Sequence, residues 1–107
     1  MEVWELKYLK LSADFLALSL VDQQDGPTSP SELGLSTELQ NMLTDWNSDY
    51  QTIIPLSMSV RSSEQWNSII CSLDTRGLNL AQMIADELVD DAKVEYYSEG
   101  LLKRIDH

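Results

Sequence analysis

From Trp66 to Leu88 apolar side chains recur at three- and four-residue steps, which commits the longest patterned segment of the chain to one amphipathic helix. Trp66, Ile70, Leu73, Gly77, Leu80, Ala81, Ile84 and Leu88 fall on a single stripe, and that stripe must be buried against another layer. Ser62 or Ser63 supplies the N-cap, with Glu64 and Gln65 in the first turn facing the positive end of the helix dipole. A second stripe, Leu39, Met42, Leu43, Trp46, Tyr50, Ile53 and Ile54, repeats the spacing after a cap at Ser36 or Thr37, and Pro55 closes it. Gly77 costs a helix about 1 kcal/mol relative to Ala, so it marks either a close approach to a neighbouring layer or a kink.

The flanks read differently. Val3 to Leu11 alternates, with Trp4, Leu6, Tyr8 and Lys10 on one side and Val3, Glu5, Lys7, Leu9 and Leu11 on the other. That is the period of a half-buried strand, and the side bearing Trp4, Leu6 and Tyr8 reads as its apolar face. Phe15 to Val21 is a second strand, antiparallel to the first because Ser12-Ala13-Asp14 is so short a connection. The stretch from Gly26 to Ser31, with Pro27 and Pro30, reads as a surface loop, and Leu56 to Arg61 as a short edge strand or a loop. Lys93 to Tyr97 forms a third strand, with Tyr96 and Tyr97 on opposite faces. The expected architecture is α+β. A small, mostly antiparallel sheet, in the sequence order β-β-α-α-β, packs against two helices in a single two-layer domain over residues 1–107. Residues 98–107 dock through Leu101, Leu102 and Ile105 or fray. Trp4, Trp46 and Trp66 are expected in the core, and Cys71, beside Ile69, Ile70 and Leu73, reads as a buried thiol.

Charge narrows the function. Between Lys10 and Arg61 stand seven carboxylates, Asp14, Asp22, Asp25, Glu32, Glu38, Asp45 and Asp49, without one Lys or Arg. The whole chain carries 18 acids against 7 bases, a net charge of −11 on 107 residues. A field of that sign repels nucleic acid and anionic membrane and attracts a basic partner. The only imidazole is His107, the last residue, and the only thiol is Cys71, so triads and Cys–His pairs have no members to draw on. Asp22 to Gly26 lacks the alternating ligands and closing Glu of a calcium loop, and Asp86 with Asp90 forms an i, i+4 pair without a His to complete a metal site. No catalytic residue, metal ligand or cofactor is therefore assigned, and the chain reads as a binding protein rather than an enzyme. The N-terminus lacks the basic region and apolar run of a signal peptide, which makes the expected location cytoplasmic.

Two acidic groups and one aromatic are the candidate contact residues. Asp45 and Asp49 lie four residues apart on the outer face of the first helix as a like-charge pair. Asp86, Glu87, Asp90 and Asp91 close the second helix, where anions oppose the dipole. Both groups gain when a cation arrives from a partner. Tyr97 is the exposed member of its pair and suits an interface anchor beside charges.

The segment from Glu32 to Leu39, followed by Leu43, Trp46-Asn47 and Tyr50, has a familiar cadence. So does Gly77-Leu78-Asn79-Leu80-Ala81, leading to Asp86-Glu87-Leu88 and the strand Val94-Glu95-Tyr96-Tyr97. Together these resemble a family of small acidic bacterial proteins that includes immunity proteins of contact-dependent growth inhibition systems. The resemblance covers Leu33 to Tyr97, and departs from the family where Ile69, Ile70 and Leu73 stand for its usual Phe. It implies a cytoplasmic protein that binds and neutralises the C-terminal toxin domain of a matching effector. Such toxins are frequently basic nucleases, whose substrate-binding face an acidic surface would occlude. The alternative is an acidic adaptor, or a nucleic-acid mimic, for another basic partner.

Overall fold

The computed structural model describes residues 7–14, 19–23, 26–88 and 92–105. Five strands, β1 (Lys7–Ser12), β2 (Ser19–Asp22), β3 (Gly26–Thr28), β4 (Ala92–Ser98) and β5 (Lys103–Ile105), form one sheet in the order β3-β2-β1-β4-β5. Three helices, α1 (Thr37–Tyr50), α2 (Met58–Arg61) and α3 (Glu64–Glu87), lie between β3 and β4 in sequence. The fold is α+β, as the two stripes and the alternating flanks require.

The sheet departs from expectation at its centre. β1 pairs antiparallel with β2, but its other neighbour is β4, in parallel, from Lys7 opposite Ala92 to Leu11 opposite Tyr96. A strand that returns after a helical layer enters beside β1 in the same direction, as crossover connections do. Reading short connections alone finds only the antiparallel pairs. β3 occupies the first half, Gly26–Thr28, of the stretch expected as a surface loop; it is an edge strand, where Pro27 can point its missing donor away from the ladder. Leu56 to Arg61 is neither strand nor plain loop, because Ser57 caps the short helix α2, its Oγ accepting from the Val60 amide at 3.3 Å. β5 pairs antiparallel with β4.

β1 also turns the face opposite to the one expected toward the core. Leu9 and Leu11 are fully buried, whereas Tyr8 is 43% exposed and Lys10 partly so. Tyr and Lys can each lay an apolar stem on the sheet with the polar end in water, and Leu cannot. Trp4 and Leu6 lie outside the described residues.

α3 packs on β4 and β1, α1 packs on α3, and α2 rests on α3 beyond it. The core gathers Leu9, Leu11 and Leu20 from the sheet, Leu39, Leu43, Trp46 and Tyr50 from α1, and Ile70, Leu80 and Ile84 from α3. A methyl group at Gly77 would strike the Tyr96 ring, so this glycine marks a close approach of helix to sheet. Two residues expected to be buried are exposed. Met42 is 39% exposed, and Cys71 is exposed rather than buried, one helical position off the line of Ile70 and Leu73. Trp46 is fully buried and gives its indole N–H to the Leu73 carbonyl at 2.9 Å, while Trp66 is only half-buried at the core's edge.

Arg61 is a base that never reaches the surface. It is 6% exposed, and its guanidinium donates to the carbonyls of Leu56 (2.9 Å), Ile54 (2.7 Å), Glu99 (2.7 Å) and Gly100 (3.3 Å). The planar fork thereby ties the segment after α1 to the β4–β5 turn.

Candidate partner-binding surface

Charge is sorted between the two sides of the molecule. On α1 and α3, Glu38, Asp45, Asp49, Glu64, Asp86 and Glu87 are all exposed, against the single base Arg76. Five of the 7 bases, Lys7, Lys10, Lys93, Lys103 and Arg104, belong to sheet strands β1, β4 and β5. Among the described residues the excess of acid is thus concentrated on the helical layer.

α1 runs antiparallel to α3, and two contacts pin the helices together along their length. At one end Glu87 accepts hydrogen bonds from the Ser36 amide and hydroxyl, both at 2.7 Å. Ser36 is the N-cap of α1, and its Oγ also accepts from the Leu39 amide at 3.2 Å. The carboxylate at the unfavourable end of α3 therefore sits at the favourable end of α1. The Ser36 hydroxyl, then its amide, hold the Glu87 carboxyl below its usual 4.5. Farther along, Arg76 pairs with Asp49 at 2.8 Å.

The candidate residues consequently divide. The repulsion between Asp45 and Asp49 is relieved inside the molecule, by Arg76, rather than only by an arriving partner. Glu87 is likewise engaged, and Asp86 accepts from the Gln82 side-chain amide at 2.9 Å. Asp45 has no ion pair among the described residues. It borders a groove of about 240 Å³ between the helices, with Met42, Arg76, Asn79, Leu80 and Met83. Asp90 and Asp91 lie outside the described residues. Tyr97 stands on the open face of the sheet, away from the helical acids, with the Lys10 ammonium 5.3 Å from its ring centroid. Beside it Glu95 accepts from Gln23 (3.2 Å) and Arg104 (3.3 Å). Asp45, Asp49, Asp86 and Glu87 thus share the helical side, and Tyr97 does not join them.

A buried polar centre escaped the sequence reading. Asp74, 3% exposed, accepts from the hydroxyls of Tyr50 (2.8 Å), Tyr96 (2.6 Å) and Ser98 (2.6 Å). Tyr50 accepts in turn from the Gly100 amide at 2.8 Å, and Ser98 from the Leu101 amide at 3.0 Å. Burial, reinforced by Asp74, pushes the Tyr50 phenol up to about 12 and raises Tyr96 further. The network joins α1, α3, β4 and the turn after it. It has no access to solvent through which to act on a substrate, so its work is positional. The signal was present: Asp74 is an acid on the same helical stripe as Ile70 and Gly77.

The sequence matches the Serratia CdiI immunity protein-like family over residues 7–99. The chain belongs to that family. The matched span runs from the first described strand through β4, and so takes in the α1–α3 pair and Asp74 with its Tyr50, Tyr96 and Ser98 partners. No curated protein matches the chain. Among the described residues no helix is long and apolar enough to cross a membrane.

Proposed function

We propose that this chain binds the toxin domain of a matching contact-dependent effector and neutralises it without chemistry, in the cytoplasm of the cell that makes it. The toxin is a basic nuclease, and the α1–α3 layer covers its substrate-binding face. The observation that carries this reading is the sorting of charge, with six exposed acids and one base on α1 and α3. A nuclease must hold a polyanion, so its cleft presents the complement of such a surface. Opposed fields speed encounter and set orientation before close contacts form. Membership of an immunity-protein family supports the toxin as the partner.

Asp45 and Asp86 are the acids through which to test it, because reversing Asp49 or Glu87 would also break the contacts to Arg76 and Ser36. The binding partner for the measurement is the C-terminal domain of the effector encoded beside this gene. The parent protein should copurify with that domain. The double variant Asp45→Lys with Asp86→Lys should keep its melting midpoint and bind at least tenfold more weakly, equivalent to about 1.4 kcal/mol. A parent that does not bind the domain, or a double variant that binds and protects as well as the parent, refutes the reading.

A further inference from the structure

A groove runs between α1 and α3, lined by Met42, Asp45, Arg76, Asn79, Leu80 and Met83. Ser36 with Glu87 and Asp49 with Arg76 each join the two helices, so the spacing of its walls is set in the free protein. Leu80 forms the floor, Met42 and Met83 the sides, and Asp45 stands on the rim. Its volume of about 240 Å³ is below the roughly 300–1,000 Å³ of small-molecule sites, and suits one long side chain. The arrangement is selective. Methionine is unbranched and polarisable, and adapts its shape to whatever lies against it. An aliphatic stem on Met42, Met83 and Leu80 would bring its end to Asp45, which has no ion pair of its own among the described residues. Arg76 lines the same groove, but its guanidinium is engaged by Asp49 at 2.8 Å, so the charge left over at the rim is negative.

We propose that this groove is the anchor site for the toxin, and that it receives one lysine or arginine side chain projecting from the toxin's surface. The stem lies between Met42 and Met83, and the cation meets Asp45. The inference rests on the toxin-binding reading and deepens it, because it replaces a diffuse acidic face with one socket. Long basic side chains fit this division of labour, since their methylenes bury readily while the charged end stays at the rim.

The test uses the full chain and the effector domain encoded beside its gene. Met42→Ala with Met83→Ala should weaken binding at least tenfold, as should Asp45→Asn alone. Met42 and Asp45 are exposed, so melting midpoints should stay near the parent's; if the Met83 change lowers the midpoint, Met42→Ala with Asp45→Asn serves in its place. With methyl-labelled methionine, the Met42 and Met83 resonances should shift on adding the domain while that of Met58, on α2, stays in place. Binding lost on Asp45→Lys should return when one basic residue of the toxin is changed to Asp. If the parent binds but all groove variants bind equally well, the socket is wrong and the broader acidic-face reading survives. If Asp45→Asn tightens binding while Arg76→Gln abolishes it, the groove takes an anion and the proposal is overturned. If the parent does not bind the domain, both readings fail together.

Discussion

Trp46 and Trp66 stand on similar helical stripes but differ in what they hold. Trp46 is fully buried, edge-on to Tyr50 at 5.7 Å and tilted against Tyr96 at 5.9 Å, and its indole bonds to α3. Trp46→Ala should cost about 3–5 kcal/mol. Trp66, half-buried at the edge, leaves a gap that water can fill, and its truncation should cost roughly 1–2 kcal/mol. Denaturant melts of the two variants measure the contrast, and equal losses would contradict it. The hydroxyls around Asp74 make a second prediction, at high pH. Burial pushes the folded Tyr50 phenol up to about 12, against 10 for the unfolded one. Its contribution is therefore complete below pH 10 and is lost as pH rises through 12, since the unfolded chain gives up its proton first. Tyr96 acts in the same direction. Stability should fall above pH 10, and Tyr50→Phe should flatten that fall; an unchanged alkaline slope in the variant would remove Tyr50 from the cause.

At the scale of elements, the contact of Glu87 with Ser36 couples the end of one helix to the start of another. The folded carboxyl lies below its usual 4.5, so the stabilisation is present above that value and is lost as pH falls through the lowered folded value. Acid also relieves repulsion elsewhere on so acidic a chain, and a comparison isolates this one group. The difference in melting midpoint between the parent and Glu87→Gln should be widest near neutrality and shrink below pH 4.5. A gap independent of pH would show that the Glu87 charge adds nothing. Helices α1 and α3 were legible because three- and four-residue spacing has no competing explanation over such lengths, although α1 ends at Tyr50, short of the Ile53, Ile54 and Pro55 expected to finish it. β3 and α2 were not, since Gly, Pro and Ser serve loops, edge strands and short capped helices alike. The orientation of β1 was hidden because Tyr8 and Lys10 are as amphipathic as a strand's outer face requires. The acids of the candidate surface were visible as residue types. Which of them are already partnered was not, because Asp49–Arg76 and Glu87–Ser36 depend on the antiparallel approach of two distant segments.

Among the described residues charge is sorted at the scale of the molecule, with the excess of acid on α1 and α3 and most of the base on the sheet. Such a body orients in the field of a basic partner before touching it. The association rate with the toxin domain should therefore fall about tenfold or more from low to high ionic strength, with a smaller change in dissociation. Stopped-flow mixing across a salt series would show it, and a flat series would remove steering from the account. The parallel junction at the heart of the sheet has a different consequence, one of time. β1 leaves the ribosome before its parallel partner β4, with β2, β3 and all three helices made between them. At about 5–20 residues per second, β1 waits on the order of ten seconds for its parallel neighbour. On the proposed function, a copy still being made is therefore no shield. A cell under attack depends on molecules finished beforehand, and on how long each of them lasts.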